Sequence, residues 1–140
     1  MSRSFIIAFC GLLLAVSAFS NDILLPAFWG IEADLATSLE RVQAVVPAYL
    51  IASGIGQAVF GVASDRFGRR PVIQVGLVLF LAGSLVGMLA PSIEVLLAGR
   101  AIQGLGGACG VVVARAVLRD CYSGEDLARA MALAVGVFTL

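Results

Sequence analysis

Histidine and lysine are both missing from these 140 residues, and charged residues of either sign make up only 13%. Without histidine, the Ser-His-Asp and Cys-His arrangements of nucleophilic catalysis are excluded. Cysteine occurs three times. Cys10 and Cys109 lie inside apolar runs and Cys121 in a polar connection, a spacing that fits neither a disulfide framework nor a zinc site. No paired-carboxylate pattern of the EF-hand kind occurs, so no metal site is expected. Nine basic residues balance nine acids. Zero net charge supplies no basic field of the kind that binds nucleic acid.

What the chain has in excess is apolar surface. It is 61% hydrophobic with a mean hydropathy of +1.06, far from the soluble pattern of roughly half apolar and a quarter charged. The few charges punctuate long runs. Residues 4–21 carry none, and the apolar character continues past Asp22 to Ile31. Residues 42–64 and 71–93 are charge-free, and 95–114 is interrupted only by Arg100. About 20 apolar residues cross a ~30 Å hydrocarbon core as helix, and in lipid the backbone must be satisfied within the segment. The expected fold is therefore an all-α, polytopic membrane protein with spans near 4–28, 42–63, 71–91 and 94–114. A last run, 130–140, covers only about 16 Å as helix. The segment 128–140 reads as the start of a fifth, incomplete span, and the chain as a fragment or a truncated product. Arg3, the apolar stretch after it and Ala18-Phe19-Ser20 also fit a signal peptide, which would leave a secreted protein. The three further runs favour an uncleaved first span.

With a cytoplasmic N-terminus, Arg3, Arg66, Arg69, Arg70, Arg115, Arg119 and Arg129 all fall inside and only Arg41 outside, as the positive-inside rule requires. The outer connections would carry Glu32, Asp34, Glu40 and Glu94. Short connections imply antiparallel neighbours in a bundle. Gly83 and Gly87, and Gly106 and Gly110, form small-xxx-small pairs of the kind that let membrane helices approach. Gly104 opens the stretch GLGGACG. That stretch is not a dinucleotide fingerprint, because its third glycine would fall at Cys109 and no strand precedes it. Arg115 and Arg119 suit a helix end facing the cytoplasm, and Ser123 with Asp126 resembles a capping box opening the next helix.

Two residues put charge where it is costly, about 2.5–3.5 kcal/mol at mid-span. Asp22 lies near the outer end of the first span, just before a kink expected at Pro26. Arg100 lies about a turn and a half into the fourth, with Gln103 on its helix face. Either can be a structural residue snorkelling to the interface. Alternatively, a carboxylate beside a fixed cation can take up and release a proton as its access to water alternates.

The densest charge lies in G-V-A-S-D-R-F-G-R-R-P, residues 61–71. Pro71 suits a first helical position and Gly68 a tight turn. Gly61 lies where another helix can approach, and Arg66, Arg69 and Arg70 anchor the loop. Asp65 is more than a topogenic loop needs. This stretch resembles the signature of the major facilitator superfamily, G-x-x-x-D-R-x-G-R-R between the second and third spans, matched at Gly61, Asp65, Arg66, Gly68, Arg69 and Arg70. L-A-G-R-A-I-Q-G-L-G-G-A resembles the fourth-span motif of proton-driven members, with Arg100, Gln103 and Gly104. N-D-I-L-L-P-A-F resembles the first-span motif of the drug/proton antiporter group, with Asp22 and Pro26. V-A-R-A-V-L-R-D-C-Y-S-G resembles the end of the fourth span in bicyclomycin- and chloramphenicol-resistance (Bcr/CflA-type) multidrug transporters. Leu24 departs from a tyrosine common in that subgroup.

The resemblance covers essentially the whole chain but only about a third of a usual twelve-span member. It implies the N-terminal part of a twelve-helix bundle that exports small amphipathic drugs across the inner membrane. It implies a transporter rather than an enzyme, driven by a proton gradient without a cofactor. Asp22, Arg100 and Gln103 would serve proton coupling and the substrate cavity, and the 61–70 loop would be a conformational latch. The partners implied are the lipid bilayer, a small-molecule substrate and a C-terminal half needed for transport, with no nucleic acid. The alternatives are an importer of a nutrient such as a sugar or organic acid, and a truncated membrane protein that transports nothing.

Overall fold

The computed structural model describes residues 3–139; position 140, which closes the fifth run, lies outside them. Every regular element among the described residues is helical. They are α1 (Arg3–Asp22), a 3₁₀ turn (Leu25–Ala27), α2 (Phe28–Asp34), α3 (Leu39–Gln43), α4 (Val45–Phe67), α5 (Arg69–Met88), α6 (Ile93–Cys121) and α7 (Gly124–Thr139). Four stretches are long and apolar enough to cross a membrane: Arg3–Asp34, Leu39–Phe67, Arg69–Met88 and Ile93–Cys121.

The four prolines decide where the helices stop. A proline has no N–H to bond the carbonyl four residues back, and its ring collides with that carbonyl. Pro26, Pro47 and Pro71 each stand four residues after a helix end, at Asp22, Gln43 and Phe67, and Pro91 stands three after Met88. The helices therefore do not share limits with the apolar runs. The first run is broken after Asp22, where the chain turns through Ile23 and Leu24 into the 3₁₀ turn that contains Pro26. The third span, α5, opens at Arg69, two residues before Pro71, which stands within its first turn rather than at its first position. The fourth span, α6, runs on through Arg115 and Arg119 to Cys121.

α6 is the hub. It holds twelve of the buried residues, and α4 and α5 lie along it on two sides while α1 crosses it and α7 packs on α1. α4 and α5 are joined through Gly68 alone and diverge from there. Close approach to α6 needs missing side chains. A Cβ at Gly83 would lie 2.7 Å from the Gln103 Cα, and one at Gly106 would lie 2.7 Å from the Phe80 Cα. One at Gly99 would lie 2.8 Å from the Gly87 nitrogen. These are backbone atoms that cannot swing aside, so Gly83 on α5 and Gly99 and Gly106 on α6 set the interhelical distance, whereas a Cβ at Gly87 would meet only the Leu96 side chain, at 3.6 Å.

Three apolar clusters fill the remaining contacts. Val42, Val45, Ile93 and Leu96 close one end of the bundle under α2. Phe60, Val72, Ala108, Cys109 and Val113 fill the middle. Cys10, Ala114, Leu118, Tyr122, Ala130 and Ala134 join α1, α6 and α7 at the Gly68 end. The outward faces of α4 and α5 expose Leu50, Ile51, Ile55, Val59, Leu77, Val78, Leu81 and Leu85, a surface suited to hydrocarbon rather than water.

Candidate functional site

Among the described residues, Arg100 is the one buried charged side chain, with 4% of its surface exposed. Its Nη1 donates to Gln103 Oε1 at 2.5 Å, and its Nη2 donates to the Ser20 carbonyl at 3.0 Å and to Asn21 Oδ1 at 3.2 Å. The guanidinium lies over the Tyr49 ring, 4.8 Å from its centroid. Gln103 passes the chain of bonds on, donating from Nε2 to Ser84 Oγ at 2.8 Å, and Ser84 donates to the Phe80 carbonyl at 2.8 Å. Three helices thus meet at one cation, and α5 joins them through Gln103. Hydrogen bonds to a charged group contribute roughly 1.5–3 kcal/mol each, so three of them offset an insertion cost of about 2.5–3.5 kcal/mol. Arg100 Nε alone is buried and unpartnered among the described residues.

The sequence places Asp22 and Arg100 at similar depth, but the structure does not join them. Asp22 is exposed, and Arg100 bonds its neighbours Ser20 and Asn21 instead. Each helical residue turns by about 100°, so Asn21 faces α6 and Asp22 does not. The carboxylate is nevertheless the next residue after the one that holds the guanidinium. It closes α1 at the break imposed by Pro26. A cavity of about 510 Å³ lies on the α5 side of α1, lined by Ser20, Asp34, Ser84, Arg100 and Gln103 among apolar residues. A second cleft of about 300 Å³ lies on the α4 side, lined by Ser17, Asn21, Tyr49, Ser53 and Arg115 among others. The Arg100 cluster stands between the two.

The other candidate region is at the Gly68 end. Gly68 adopts φ 88° and ψ 165°, a conformation essentially restricted to glycine, and so serves as the end of α4 and the start of α5 at once. Arg69 is the organising residue. Its Nη1 donates to the buried Ser64 Oγ at 2.6 Å and to Asp65 Oδ1 at 3.1 Å, and its Nη2 donates to Asp120 Oδ2 at 3.1 Å. The loop is thereby tied to the far end of α6. Arg66 lies over the ring of its neighbour Phe67 at 5.5 Å, and Arg70 is exposed. Gly61 has no neighbour within 4 Å of where its Cβ would be, while Gly110 backs onto the Leu13 carbonyl at 3.3 Å. Gly104 faces the backbone of Tyr49, with the Tyr49 Cα 3.1 Å from its Cβ position.

Several participants have no assignment from sequence. Asp120 lies within the V-A-R-A-V-L-R-D-C-Y-S-G stretch, but nothing in that stretch names its partner 51 residues away. Gly76 and Gly99 pair with Gly106 and Gly87. The spacing of seven from Gly76 to Gly83 and from Gly99 to Gly106 was a readable signal for a shared face, two helical turns apart. Tyr49 and Ser17 also belong to the site, and a lone tyrosine inside an apolar run marks a buried hydroxyl that needs partners.

Four membrane-length apolar helices around a hub, a buried arginine held by neutral acceptors and an arginine-tied turn describe a polytopic membrane helix bundle. The chain belongs to the Major Facilitator Superfamily, whose profile matches residues 10–140. It is 41% identical over 122 residues to "Multidrug resistance protein D" of Escherichia coli (strain K12), covering 87% of this chain and 31% of that protein. It is 35% identical over 130 residues to "Bicyclomycin resistance protein homolog" of Haemophilus influenzae (strain ATCC 51907 / DSM 11121 / KW20 / Rd), covering 93% of this chain and 33% of that protein. "Chloramphenicol resistance protein" of Pseudomonas aeruginosa is 34% identical over 111 residues, covering 79% of this chain and 26% of that protein. The chain spans about a third of the length of the relatives it matches.

Proposed function

We propose that this chain supplies the N-terminal part of a proton-coupled exporter of small amphipathic drugs, working in the inner (plasma) membrane with its N-terminus in the cytoplasm. The observation that carries the reading is the buried guanidinium of Arg100, held on Ser20 and Asn21 at the very end of α1 where Asp22 follows. Proton loading of Asp22 would alter the charge beside the acceptors that hold Arg100. α1 is thus placed to feel the protonation state and to pass it to α6 through those two bonds. Gln103 keeps the cation oriented when α1 moves. The drug-resistance names of the relatives support the substrate class, and the mostly apolar lining surface of both clefts, with a few polar groups in each, fits amphipathic substrates.

The turn at residues 65–70 would stabilise the outward-open state by holding α4, α5 and α6 together against the other half of the transporter. Transport would require that C-terminal half, and a proton gradient rather than a cofactor would drive it. In the full-length transporter, Asp22→Asn is expected to abolish export driven by a pH gradient. Unaltered coupled export by that variant removes Asp22 as the proton carrier. Inward, substrate-dependent proton symport would instead mark an importer.

A further inference from the structure

Tyr49 is 2% exposed and stands one turn into α4, and α6 is shaped to receive it. A Cβ at Gly104 would lie 3.1 Å from the Tyr49 Cα, and one at Gly107 would lie 2.5 Å from its hydroxyl oxygen and 2.9 Å from Ser17 Oγ. Two glycines one turn apart thus clear a seat, one for the backbone of the tyrosine and one for its phenol. The ring then lies between Gly107 and Arg100, with the Arg100 Cζ 4.8 Å from its centroid. The hydroxyl donates to the Ser17 carbonyl at 3.1 Å and meets Ser17 Oγ at 3.1 Å, and Ser17 Oγ donates to the Gly107 carbonyl at 3.1 Å. Two hydroxyl protons serve three contacts, so the phenol stays tethered to α1 when one of them opens. Packing alone asks for no hydroxyl here and no guanidinium above the ring.

We propose that Tyr49 is a positioning residue for Arg100. The ring sets the plane of the guanidinium, and the space left by Gly104 and Gly107 seats that ring. Hydrogen bonds to Ser20 and Asn21 fix only one edge of the arginine. A planar cation over an aromatic face is fixed in tilt as well. α1 therefore holds one edge of the guanidinium, at Ser20 and Asn21, and the ring from α4 holds its face. The ring, carried by α4 and seated against α6, keeps the face of the cation fixed when the acceptors on α1 move. This inference rests on the functional reading of Arg100 given above.

The test uses the full-length transporter in proteoliposomes, with variants compared at equal insertion and equal thermal midpoint in detergent. Tyr49→Leu is expected to lower the maximal rate of gradient-driven export about tenfold, the scale of a desolvated cation–π contact, with KM for the drug unchanged. Tyr49→Phe, which keeps the ring, is expected to stay within about twofold of the parent on the same reasoning. Tyr49→Met fills the seat without a ring and should fall with Tyr49→Leu, which covers the case in which the smaller residue misfolds. Equal loss in Tyr49→Phe and Tyr49→Met overturns the proposal, as does a parent-like rate in Tyr49→Met, or a raised KM at unchanged maximal rate. Arg100→Gln separates the two claims. If it is inactive while Tyr49→Met is parent-like, only the role of Tyr49 fails. If Arg100→Gln transports normally, the functional reading of the arginine fails first.

Discussion

Arg69 Nη2 lies 3.1 Å from Asp120 Oδ2, and the same guanidinium reaches Asp65 and Ser64 with its other nitrogen. One side chain, at the first residue of α5, thereby joins the ends of α4, α5 and α6. Asp120 is 58% exposed, and an exposed pair of this kind contributes about 1 kcal/mol or less. Asp120→Asn is therefore expected to leave the thermal midpoint of the protein nearly unchanged. If the turn acts as a latch, the same variant lowers the export rate of the full-length transporter. Arg69→Lys should lower it as well, because an ammonium cannot span three acceptors as the guanidinium fork does. Parent rates in both variants would take Arg69 and Asp120 out of the gating mechanism.

The glycine faces of α5 and α6 predict a sharp contrast. Gly83→Ala and Gly106→Ala place a methyl group against backbone atoms of the facing helix. Each should destabilise the protein by about 1–3 kcal/mol, the usual cost of overpacking, measured by unfolding in mixed micelles. Gly54→Ala on α4 meets nothing within 4 Å and should be neutral or slightly stabilising. Equal effects at the three positions would show that the α5–α6 approach is looser than described.

Gly68 makes a different prediction, because its neighbourhood is open and only its backbone is special. No atom lies within 4 Å of its Cβ position, yet its φ is +88°. Gly68→Ala should therefore cost about 1–3 kcal/mol through backbone strain alone, again read from unfolding in micelles. A larger residue at 68 should cost about the same as alanine. A graded loss with side-chain size would point to crowding instead.

Much of this architecture was legible because lipid simplifies the code. Charge-free runs of membrane length leave helix as the only solution, and the charges between them mark the turns. The prolines were legible as kinks or starts, but they act four residues upstream, on the carbonyl their rings strike, which is why α1 stops at Asp22 and α5 opens at Arg69. The partners of Arg100 were not legible. Residue counting puts Asp22 level with it, whereas helical rotation decides that Asn21 faces α6. Asp120 was hidden for another reason. Its contact with Arg69 spans 51 positions, and no local pattern encodes a pairing created only when α4 and α6 pack.

Thiol chemistry checks both packing and orientation. Cys10 and Cys109 are buried and Cys121 is exposed at the end of α6. An impermeant maleimide should label Cys121 alone, and only from the cytoplasmic face of sealed vesicles. Labelling of Cys121 from the opposite face would invert the proposed topology. Rapid labelling of Cys109 would contradict its place against Val72 and Gly76.

The most direct measurement is paired drug and proton flux by the full-length transporter in proteoliposomes carrying an imposed pH gradient, with Asp22→Asn beside the parent. The parent should move drug against its gradient and protons in the opposite direction, in fixed proportion. Asp22→Asn should bind drug with parental affinity and equilibrate it, but neither accumulate drug nor move protons with it. Parental accumulation and proton movement in Asp22→Asn would contradict the coupling of Asp22 to the Arg100 cluster.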